Sequence, residues 1–429
     1  MKIKKSKDNL IPRQILPKVF SWLFEKEIII INGPRQAGKT TLLFQIKEKL
    51  KKEKVVYVNF EDSFQLEAFL KSPKDFVSLQ LAKNKKTYFL FDEFQYVKNA
   101  GKILKLLFDQ FFEKAKFIIT GSSNLQIREI ASYLVGRAIF FNLYPFSFSE
   151  FLLAKDESLF KQWQTFNKNL YSFLLGKKFS KTSFIFEEKL KNLFEEYLIF
   201  GGYPAIVLSE NKKKQERLFS LIETYIEKDI IKYLKIGNFL EFKKITKVFA
   251  SQIGNLVNYS GMASEMGVSL FEIKKIAAVL ENTFVIKLIP PFYSNKMTEI
   301  KKAPKVYFLD LGLRNALIAD FRSLDIRFEK GAMVENFVFQ NFYYRKELSH
   351  LYFWRTKMGA EVDFILDYQG EMVPFEVKYQ EFDKEKISRS FLSFCDTYKP
   401  KRGVVLTKNY FGQKKFNQTK ILFLPVYFI

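Results

Sequence analysis

A glycine-rich loop near the amino terminus carries the residues best suited to binding phosphate. Gly33, Gly38, Lys39 and Thr40 fit the spacing G-x-x-x-x-G-K-[ST] in the segment GPRQAGKTT. Glycines let the backbone curl so that successive N–H groups point at a phosphate, and the following helix adds positive potential at its amino end. We therefore predict that ATP binds this loop through Gly33, Pro34, Arg35, Gln36, Ala37, Gly38, Lys39, Thr40 and Thr41.

Two side chains of the loop and two acids further along the chain could form a hydrolytic site. Lys39 would reach the β- and γ-phosphates, and the Thr40 hydroxyl would bind Mg²⁺. Asp92 and Glu93 end the apolar segment TYFLFDE. Asp92 would hold the metal through water, and Glu93 would polarise the attacking water. Adjacent acids after an apolar strand can also form a solvated turn, but the phosphate loop upstream favours the catalytic interpretation.

Two more positions in the same region are predicted to contact the nucleotide. Ser122, which follows the apolar segment KFIITG, could sense the γ-phosphate. Ser123 and Asn124 are alternatives, and a cap for the next helix is the competing role for all three. Arg137, in LVGRAIFFNLYPFSFSEF, is a candidate arginine finger directed at a neighbouring subunit of a homo-oligomer. In a chain with 70 Lys and Arg residues, it could equally be an ordinary surface arginine.

A third group of charged residues lies near the carboxyl terminus, in RTKMGAEVDFILDYQGEMVPFEVKYQ. The turn DYQG joins two predicted strands, and alternation of side chains places Asp363 on one face with Glu376 and Lys378. Two carboxylates can hold Mg²⁺, and a lysine beside them can orient or help deprotonate a water that attacks a phosphodiester. The alternative is a solvated surface pair, but these charges interrupt two otherwise apolar strands at facing positions.

Predicted strands and helices alternate along the first 150 residues, and these elements would position the phosphate loop and the two acids Asp92 and Glu93. Strands are predicted at IIII, KVVYVNFED, TYFLFDEFQ and KFIITGSSN, with helical stretches such as TTLLFQIKEKLKK and NAGKILKLLFDQFFEKA among them. Such alternation is typical of a doubly wound α/β sheet, in which the polar strand ends lie at the nucleotide.

The middle of the chain is predicted to be mainly helical. Residues 151–238 show helix-period apolar residues interrupted at GGYP, which indicates a helical lid or connector. In residues 239–300, a short helix at Met262–Met266, a turn at GVS and a longer helix with Lys274 and Lys275 follow the order of a helix-turn-helix, and FVIKLIPPF could provide a wing. A module of this kind can bind DNA or another protein.

The composition narrows the classes of function. At 429 residues the chain exceeds what one hydrophobic core usually serves, and a single cysteine, Cys395, with a single histidine, His350, excludes an internal disulfide and a zinc cluster. The net charge of +24 favours a nucleic-acid partner, and DNA is the preferred candidate. Abundant lysine can also reflect a compositional bias of the source genome. No apolar run approaches the roughly 18 residues of a membrane span. We therefore expect a cytoplasmic protein without a membrane partner.

Several motifs together resemble one protein family. GPRQAGKTT, FLFDE, IITGSSN, the GR followed by LYPFSFSEF, and GGYPAIV at Gly201–Val207 are similar to the bacterial and archaeal AAA-type P-loop ATPases with a C-terminal PD-(D/E)XK nuclease-like domain of unknown function. The resemblance implies an AAA-type ATPase domain at 1–150, the helical connector at 151–238, a winged-helix-like segment at 239–300 and an α/β nuclease-like domain at 301–429. It also implies that Glu335 joins Asp363 and Glu376 as a metal ligand.

Three functional hypotheses follow. The first is a Mg²⁺-dependent ATPase that couples ATP hydrolysis to nucleic-acid binding or processing, with Asp363, Glu376 and Lys378 cutting phosphodiesters. The second is a nucleotide-dependent switch whose C-terminal domain is an inactive platform for DNA or protein. The third is a motor-like ATPase without a nucleic-acid partner.

Overall fold

The computed structural model describes residues 10–121, 124–179, 184–225, 239–292, 302–345 and 350–429. It divides into two compact units, Met1–Phe146 (unit 1) and Ser147–Ile429 (unit 2). The residues predicted to form a helical connector, a winged-helix-like segment and a nuclease-like domain lie almost entirely in unit 2. Across the described part of the chain, no helix is long and apolar enough to cross a membrane.

Unit 1 is built on a five-stranded sheet whose neighbouring strands are all parallel, in the order β2-β3-β4-β1-β5. Its strands are β1 (Ile28–Asn32), β2 (Lys54–Asn59), β3 (Thr87–Asp92), β4 (Ala115–Gly121) and β5 (Ala138–Asn142). Its helices are α1 (Leu16–Ser21), α2 (Lys39–Lys49), α3 (Ser63–Lys71), α4 (Pro73–Ser78), α5 (Ala100–Phe111) and α6 (Asn124–Ser132). The predicted α/β fold of this region is confirmed.

Helices cover both faces of this sheet, which explains why its central strands are buried along their whole length. Every residue of β1 and β3 is buried. Ile28 and Ile30 pack in one hydrophobic cluster with residues of α5, whereas Ile29 and Ile31 pack in a second cluster with residues of α2. Successive side chains of β1 therefore point to opposite faces of the sheet and pack into two different hydrophobic clusters.

Unit 2 begins with helices and ends with a mixed sheet. Its helices are α7 (Phe148–Lys155), α8 (Glu157–Leu174), α9 (Glu187–Phe200), α10 (Pro204–Val207), α11 (Asn211–Ile222), α12 (Phe239–Ser251), α13 (Tyr259–Met266), α14 (Leu270–Asn282), α15 (Leu311–Leu317), α16 (Lys330–Tyr344) and α17 (Arg389–Tyr398). Its strands are β6 (Ile286–Ile289), β7 (Lys305–Phe308), β8 (His350–Arg355), β9 (Glu361–Tyr368), β10 (Glu371–Lys378), β11 (Arg402–Thr407), β12 (Gly412–Phe416) and β13 (Thr419–Pro425).

The strands of unit 2 form two sheets. Strands β6 and β7 pair antiparallel, and the others form a six-stranded sheet in the order β12-β13-β11-β10-β9-β8. The β10–β11 and β11–β13 pairs are parallel, and the remaining pairs of this sheet are antiparallel. The predicted strands around DYQG are β9 and β10, and they form the expected hairpin.

The helix predicted to belong to a connector packs against the last residues of unit 2. The indole N–H of Trp163 in α8 donates to the Tyr427 carbonyl at 2.6 Å, and the Asn167 amide donates to the Phe428 carbonyl at 3.1 Å. The rings of Phe166 and Phe428 stack with their centroids 4.5 Å apart. Helix α8 is therefore part of the same core as residues more than 250 positions later in the chain.

The GGYP motif has a structural explanation in unit 2. Gly201 has a φ of +71°, and a Cβ at this position would lie 2.2 Å from an oxygen of Asp310. The Gly202 N–H donates to the Asp310 carboxylate at 2.7 Å. A Cβ on Gly312 would lie 2.1 Å from the Phe200 carbonyl oxygen. Glycine is needed at Gly201 and Gly312 because the ends of α9 and α15 approach so closely.

Candidate functional site

The phosphate loop of unit 1 has the backbone conformation that its glycines predict. Gly38 has a φ of +96° and immediately precedes α2, and Gln36 also adopts a positive φ of +59°. A Cβ on Gly33 would lie 2.1 Å from the Leu143 carbonyl oxygen, so no other residue fits there. The loop thus leads directly into the amino end of α2, where the backbone N–H groups and the helix dipole favour an anion.

Lys39 is the first residue of α2, and its side chain folds back over the loop. Its Nζ donates to the carbonyl oxygens of Gly33 at 3.0 Å and Pro34 at 2.9 Å. The residue is buried. These contacts keep an ammonium group beside the loop N–H groups, which is the arrangement that a bound triphosphate requires.

Arg13 supports the loop from the segment that precedes α1, a role that the sequence analysis missed. Its guanidinium donates to the carbonyl oxygens of Ala37 and Tyr144, each at 2.6 Å. It also lies over the Phe146 ring, 5.0 Å from the centroid. Because Arg13 precedes every motif in the sequence, only the three-dimensional contact identifies it.

Asp92 is buried at the carboxyl end of β3, and hydroxyl groups of both neighbouring strands contact it. Tyr57 of β2 donates to one carboxylate oxygen at 2.9 Å, and Thr120 of β4 donates to the other. Burial, together with the adjacent Asp92, raises the pKa of the Tyr57 hydroxyl above its usual range, so Tyr57 remains a donor. The two hydroxyls fix the orientation of the carboxylate.

Glu93 follows Asp92 in a left-handed conformation with a φ of +54°. Its N–H donates to the Thr120 hydroxyl oxygen at 3.1 Å, and its carboxylate accepts a hydrogen bond from the Gln95 side chain. A non-glycine residue in this conformation is unusual and requires support from its surroundings. Thr120 therefore orients the side chain of one acid and the backbone of the other.

Parallel pairing brings these groups to one edge of the sheet. In the ladders, Asn32 pairs with Gly121, and Asn59 pairs with Asp92. The phosphate loop follows β1, and both acids end or follow β3, so all of them lie at the carboxyl ends of the strands. This is the edge at which open α/β sheets bind ligands.

Arg137 lies at the opposite edge. It immediately precedes β5, whose first residue Ala138 pairs with Ile28 at the start of β1. A five-residue strand spans roughly 16 Å, so Arg137 does not reach the phosphate loop of its own chain. Its guanidinium instead pairs with Asp109 of α5 at 2.7 Å. A role towards a neighbouring subunit stays a prediction.

Ser122, the residue predicted to sense the γ-phosphate, lies outside the described residues.

In unit 2, the structure places the predicted pair Glu376 and Lys378 close together on β10. The Lys378 ammonium lies 3.3 Å from a Glu376 oxygen, and the other oxygen of this buried carboxylate accepts no hydrogen bond within the described ranges. Burial lowers the pKa of Lys378, but the adjacent Glu376 and Asp363 carboxylates outweigh burial and raise it overall.

Asp363 on β9 continues the pairing with β10. Its carboxylate accepts a hydrogen bond from the Val377 N–H at 2.7 Å. The residue pairs of the β9–β10 ladder end at Phe364 and Phe375, so the side chain of Asp363 takes the place of the next ladder acceptor. Desolvation and the neighbouring Glu335 raise the pKa of Asp363. The position of Asp363 can therefore be explained by its hydrogen bond to β10 as well as by the predicted catalytic role.

Glu335 on α16 is engaged by two residues of β7. Its Oε1 accepts hydrogen bonds from the Lys305 ammonium at 2.9 Å and from the Tyr307 hydroxyl. The same ammonium lies 2.6 Å from an oxygen of Glu361 on β9. Lys305 is buried, and the sequence analysis missed it because an isolated lysine before VYF gives no indication of its partners.

The predicted magnesium site of unit 2, formed by Glu335, Asp363 and Glu376, stays a prediction. Within the ranges that the structure describes, no three or more carboxylate, histidine or cysteine side chains are arranged to hold a metal ion. Lys305 contacts Glu335, which is one of the three predicted ligands, and it also contacts Glu361. An ammonium group therefore already neutralises Glu335, and no reaction step is assigned to a divalent ion here.

Three domain models match the chain. Residues 25–152 match a model described as AAA domain, residues 191–324 match a domain of unknown function (DUF8612), and residues 330–428 match a domain of unknown function (DUF4143). The nuclease-like resemblance of the last region therefore stays a prediction.

Relatives extend over most of the chain but carry no functional description. An uncharacterised protein of Haemophilus influenzae is 28% identical over 426 residues, covering 92% of this chain and 93% of its own. An uncharacterised protein of Methanocaldococcus jannaschii is 28% identical over 379 residues, covering 86% and 79%. Among solved structures, a Walker-type ATPase of Pyrococcus abyssi matches 73% of this chain and 97% of its own, with 13% identity and a TM-score of 0.44.

The domain model for the amino-terminal region agrees with the geometry of unit 1. A parallel five-stranded sheet carries the phosphate loop after β1 and the two acids after β3. Residues 25–152 thus match the AAA domain model and have the sheet and motif arrangement of a P-loop ATPase core.

Proposed function

We propose that unit 1 binds ATP together with Mg²⁺ and hydrolyses the terminal phosphate. One observation carries this proposal: the phosphate loop with Lys39, and the oriented pair Asp92 and Glu93, lie at the same edge of one parallel sheet. Binding alone would need the loop. A second acid held in a strained conformation beside the first adds a group suited to activating water.

The oxygen groups at this edge suit Mg²⁺. Thr40 provides a hydroxyl in the first turn of α2, and Asp92 provides a buried carboxylate whose orientation Tyr57 and Thr120 fix. Hard oxygen donors of this kind, supplemented by water and phosphate oxygens, are those that Mg²⁺ prefers. When bound, Mg²⁺ neutralises charge on the phosphate oxygens.

Other groups of unit 1 would bind the phosphates and activate the attacking water. The loop N–H groups and the amino end of α2 bind the phosphates, and the Lys39 ammonium offsets the charge that develops on them during transfer. Glu93 accepts the proton of the attacking water, and the Thr120 contact with its N–H holds the backbone that aims it.

The test is ATP turnover by Glu93→Gln, Lys39→Ala and a matched control, Glu61→Gln. Glu61 follows β2 and is exposed at the same edge of the sheet. We expect Glu93→Gln to bind ATP in calorimetry while its turnover falls by about 100-fold or more. Lys39→Ala should lose measurable binding, and Glu61→Gln should behave as wild type. Undiminished turnover in Glu93→Gln would remove Glu93 from the mechanism.

For unit 2 we propose binding of nucleic acid, with DNA as the first candidate, as the process to which ATP hydrolysis is coupled. Helix α13, a turn in which Gly267 has a φ of +66°, and α14 follow the order of a helix-turn-helix. Phe271 and Lys274 of α14 are exposed on one face, and Lys275 is partly exposed beside them. A face with basic and aromatic side chains suits a phosphate backbone and its bases.

Salt dependence of binding separates this proposal from a contact with protein. Each phosphate contact releases counterions, so the logarithm of the binding constant decreases with the logarithm of the salt concentration. The magnitude of this slope becomes smaller by about 0.9 for each contact removed. The double variant Lys274→Ala/Lys275→Ala should show a shallower slope on duplex DNA. Lys161→Ala/Lys191→Ala, which removes two exposed lysines of α8 and α9, serves as the control. Equal slopes for wild type and the α14 variant would reject α14 as the contact.

Phosphodiester cleavage by Asp363, Glu376 and Lys378 stays a prediction of the sequence. The carboxylates of unit 2 lack the metal-binding arrangement that it requires in the described residues. The proposed role of unit 2 is therefore that of a nucleotide-controlled binding platform.

A further inference from the structure

A buried lysine of unit 2, Lys305, lies in contact with two carboxylates. The Lys305 side chain is 3% exposed, and its ammonium lies 2.9 Å from Glu335 and 2.6 Å from Glu361. The ammonium also lies 5.5 Å from the centroid of the Phe353 ring. One cation thus contacts carboxylates of a helix, α16, and of a strand, β9, from a third element, β7.

The surroundings of Lys305 favour its charged form. Burial lowers the pKa of Lys305, but Glu335, Asp363 and Glu361 outweigh burial and raise it overall. A buried ammonium is stable only when paired, and a carboxylate that loses such a partner is left as an uncompensated charge. The lysine and the acids therefore need one another, and a divalent cation would have to displace the lysine to bind there.

We propose that the Lys305 ammonium is the resident cation of the carboxylate cluster Glu335, Glu361 and Asp363, so that unit 2 neither binds a divalent metal ion there nor cleaves phosphodiesters. The cluster then joins the β6–β7 pair, which follows the helix-turn-helix segment, to α16 and the six-stranded sheet. Its role is to hold parts of the binding platform together.

The inference can be tested on the full chain without nucleotide, using Mn²⁺ as the probe. All proteins carry Thr40→Val so that unit 1 contributes no metal binding. The paramagnetic resonance signal of free Mn²⁺ falls when the ion binds. We expect the Thr40→Val protein to leave this signal equal to that of buffer, because Lys305 already neutralises the carboxylates.

Three variants test whether the Lys305 ammonium is what prevents Mn²⁺ from binding. Lys305→Met removes the cation and should take up about one Mn²⁺ per chain, because the freed oxygens form a hard-ligand site. Lys305→Met/Glu335→Gln should lose that uptake again, and Lys305→Arg, which keeps the charge, should bind none. Thermal unfolding with and without Mn²⁺ gives an independent measure, since the ion should raise the midpoint of Lys305→Met only.

Stoichiometric Mn²⁺ uptake by the Thr40→Val protein that disappears in Asp363→Asn or Glu376→Gln would overturn the proposal, and metal-dependent cleavage of DNA would do the same. Folded Lys305→Met that takes up no Mn²⁺ would also contradict it. If Lys305→Met does not fold, the Thr40→Val and Lys305→Arg titrations decide the question. None of these measurements depends on ATP turnover, so they are distinct from the tests of unit 1.

Discussion

Thr120 donates its hydroxyl hydrogen to the Asp92 carboxylate and accepts the N–H of Glu93 at 3.1 Å. One buried side chain on β4 therefore connects the predicted metal ligand with the predicted base. This connection depends on the strand order, because β4 is the neighbour of β3 and also of β1, which carries the phosphate loop.

Removing the Thr120 hydroxyl should impair catalysis more than folding. In Thr120→Val, Asp92 loses a donor and the Glu93 N–H loses its acceptor, so we expect ATP turnover to fall by about 10- to 100-fold, as for partners of metal ligands elsewhere. Steady-state turnover measures this effect. Thr87→Val is the control, since Thr87 is equally buried at the opposite end of β3 and accepts from the Ala82 N–H at 2.9 Å. Equal turnover in both variants would contradict the role of Thr120.

Arg13 should affect nucleotide affinity although it lies outside every motif. In Arg13→Met, the carbonyl oxygens of Ala37 and Tyr144 lose the guanidinium as a donor, at a cost of about 1–3 kcal/mol for each hydrogen bond lost. We expect weaker ATP binding and a lower midpoint of thermal unfolding for unit 1. Calorimetry and melting curves check both. Lys47→Met, at an exposed position of α2, should change neither.

The buried Asp310 should make the stability of unit 2 depend on pH. Burial raises the pKa of Asp310 from 3.8 to about 6, despite hydrogen bonds from Gly202 and Leu313 that act in the opposite direction. The folded state therefore holds this proton more tightly than the unfolded state. The stabilisation from this group is fully present below pH 4 and is lost as pH rises through 6, an effect of about 3 kcal/mol.

The variant Asp310→Asn cannot titrate at this position, so the unfolding midpoint of unit 2 should decline less between pH 4 and 7 than in wild type. It should also be less stable at pH 4, because an amide nitrogen cannot accept the second N–H. The exposed Asp396→Asn is the control. Parallel pH profiles for wild type and Asp310→Asn would show that Asp310 does not cause the dependence.

Periodicity and motif spacing predicted much of unit 1. The four segments IIII, KVVYVNFED, TYFLFDEFQ and KFIITGSSN overlap β1 to β4, and the phosphate loop leads into α2 as expected. Such elements are local, and each carries its own pattern of buried residues. The order of strands in the sheet is not local, which is why the roles of Tyr57 and Thr120 beside Asp92 were missed.

Charged residues were harder to interpret than apolar ones. The hairpin that carries Asp363 and Glu376 was predicted, but the partner of Glu335 was not, because Lys305 belongs to a strand of a different sheet. Arg137 was predicted to act towards a neighbouring subunit, and that role stays a prediction; within its own chain, the parallel register puts it at the edge of the sheet opposite to the phosphate loop. A pattern identifies which residues share a strand face, but not which distant charge neutralises them.

The contact between α8 and the 3₁₀ turn Val426–Phe428 has a consequence for how the chain is made. Trp163 and Tyr427 are separated by 264 positions, so α8 leaves the ribosome long before its partner is synthesised. The sheet of unit 1, by contrast, draws all its strands from the first 142 residues. We expect unit 1 to fold during translation while the aromatic surface of α8 is still exposed, and chaperones would be needed during this interval.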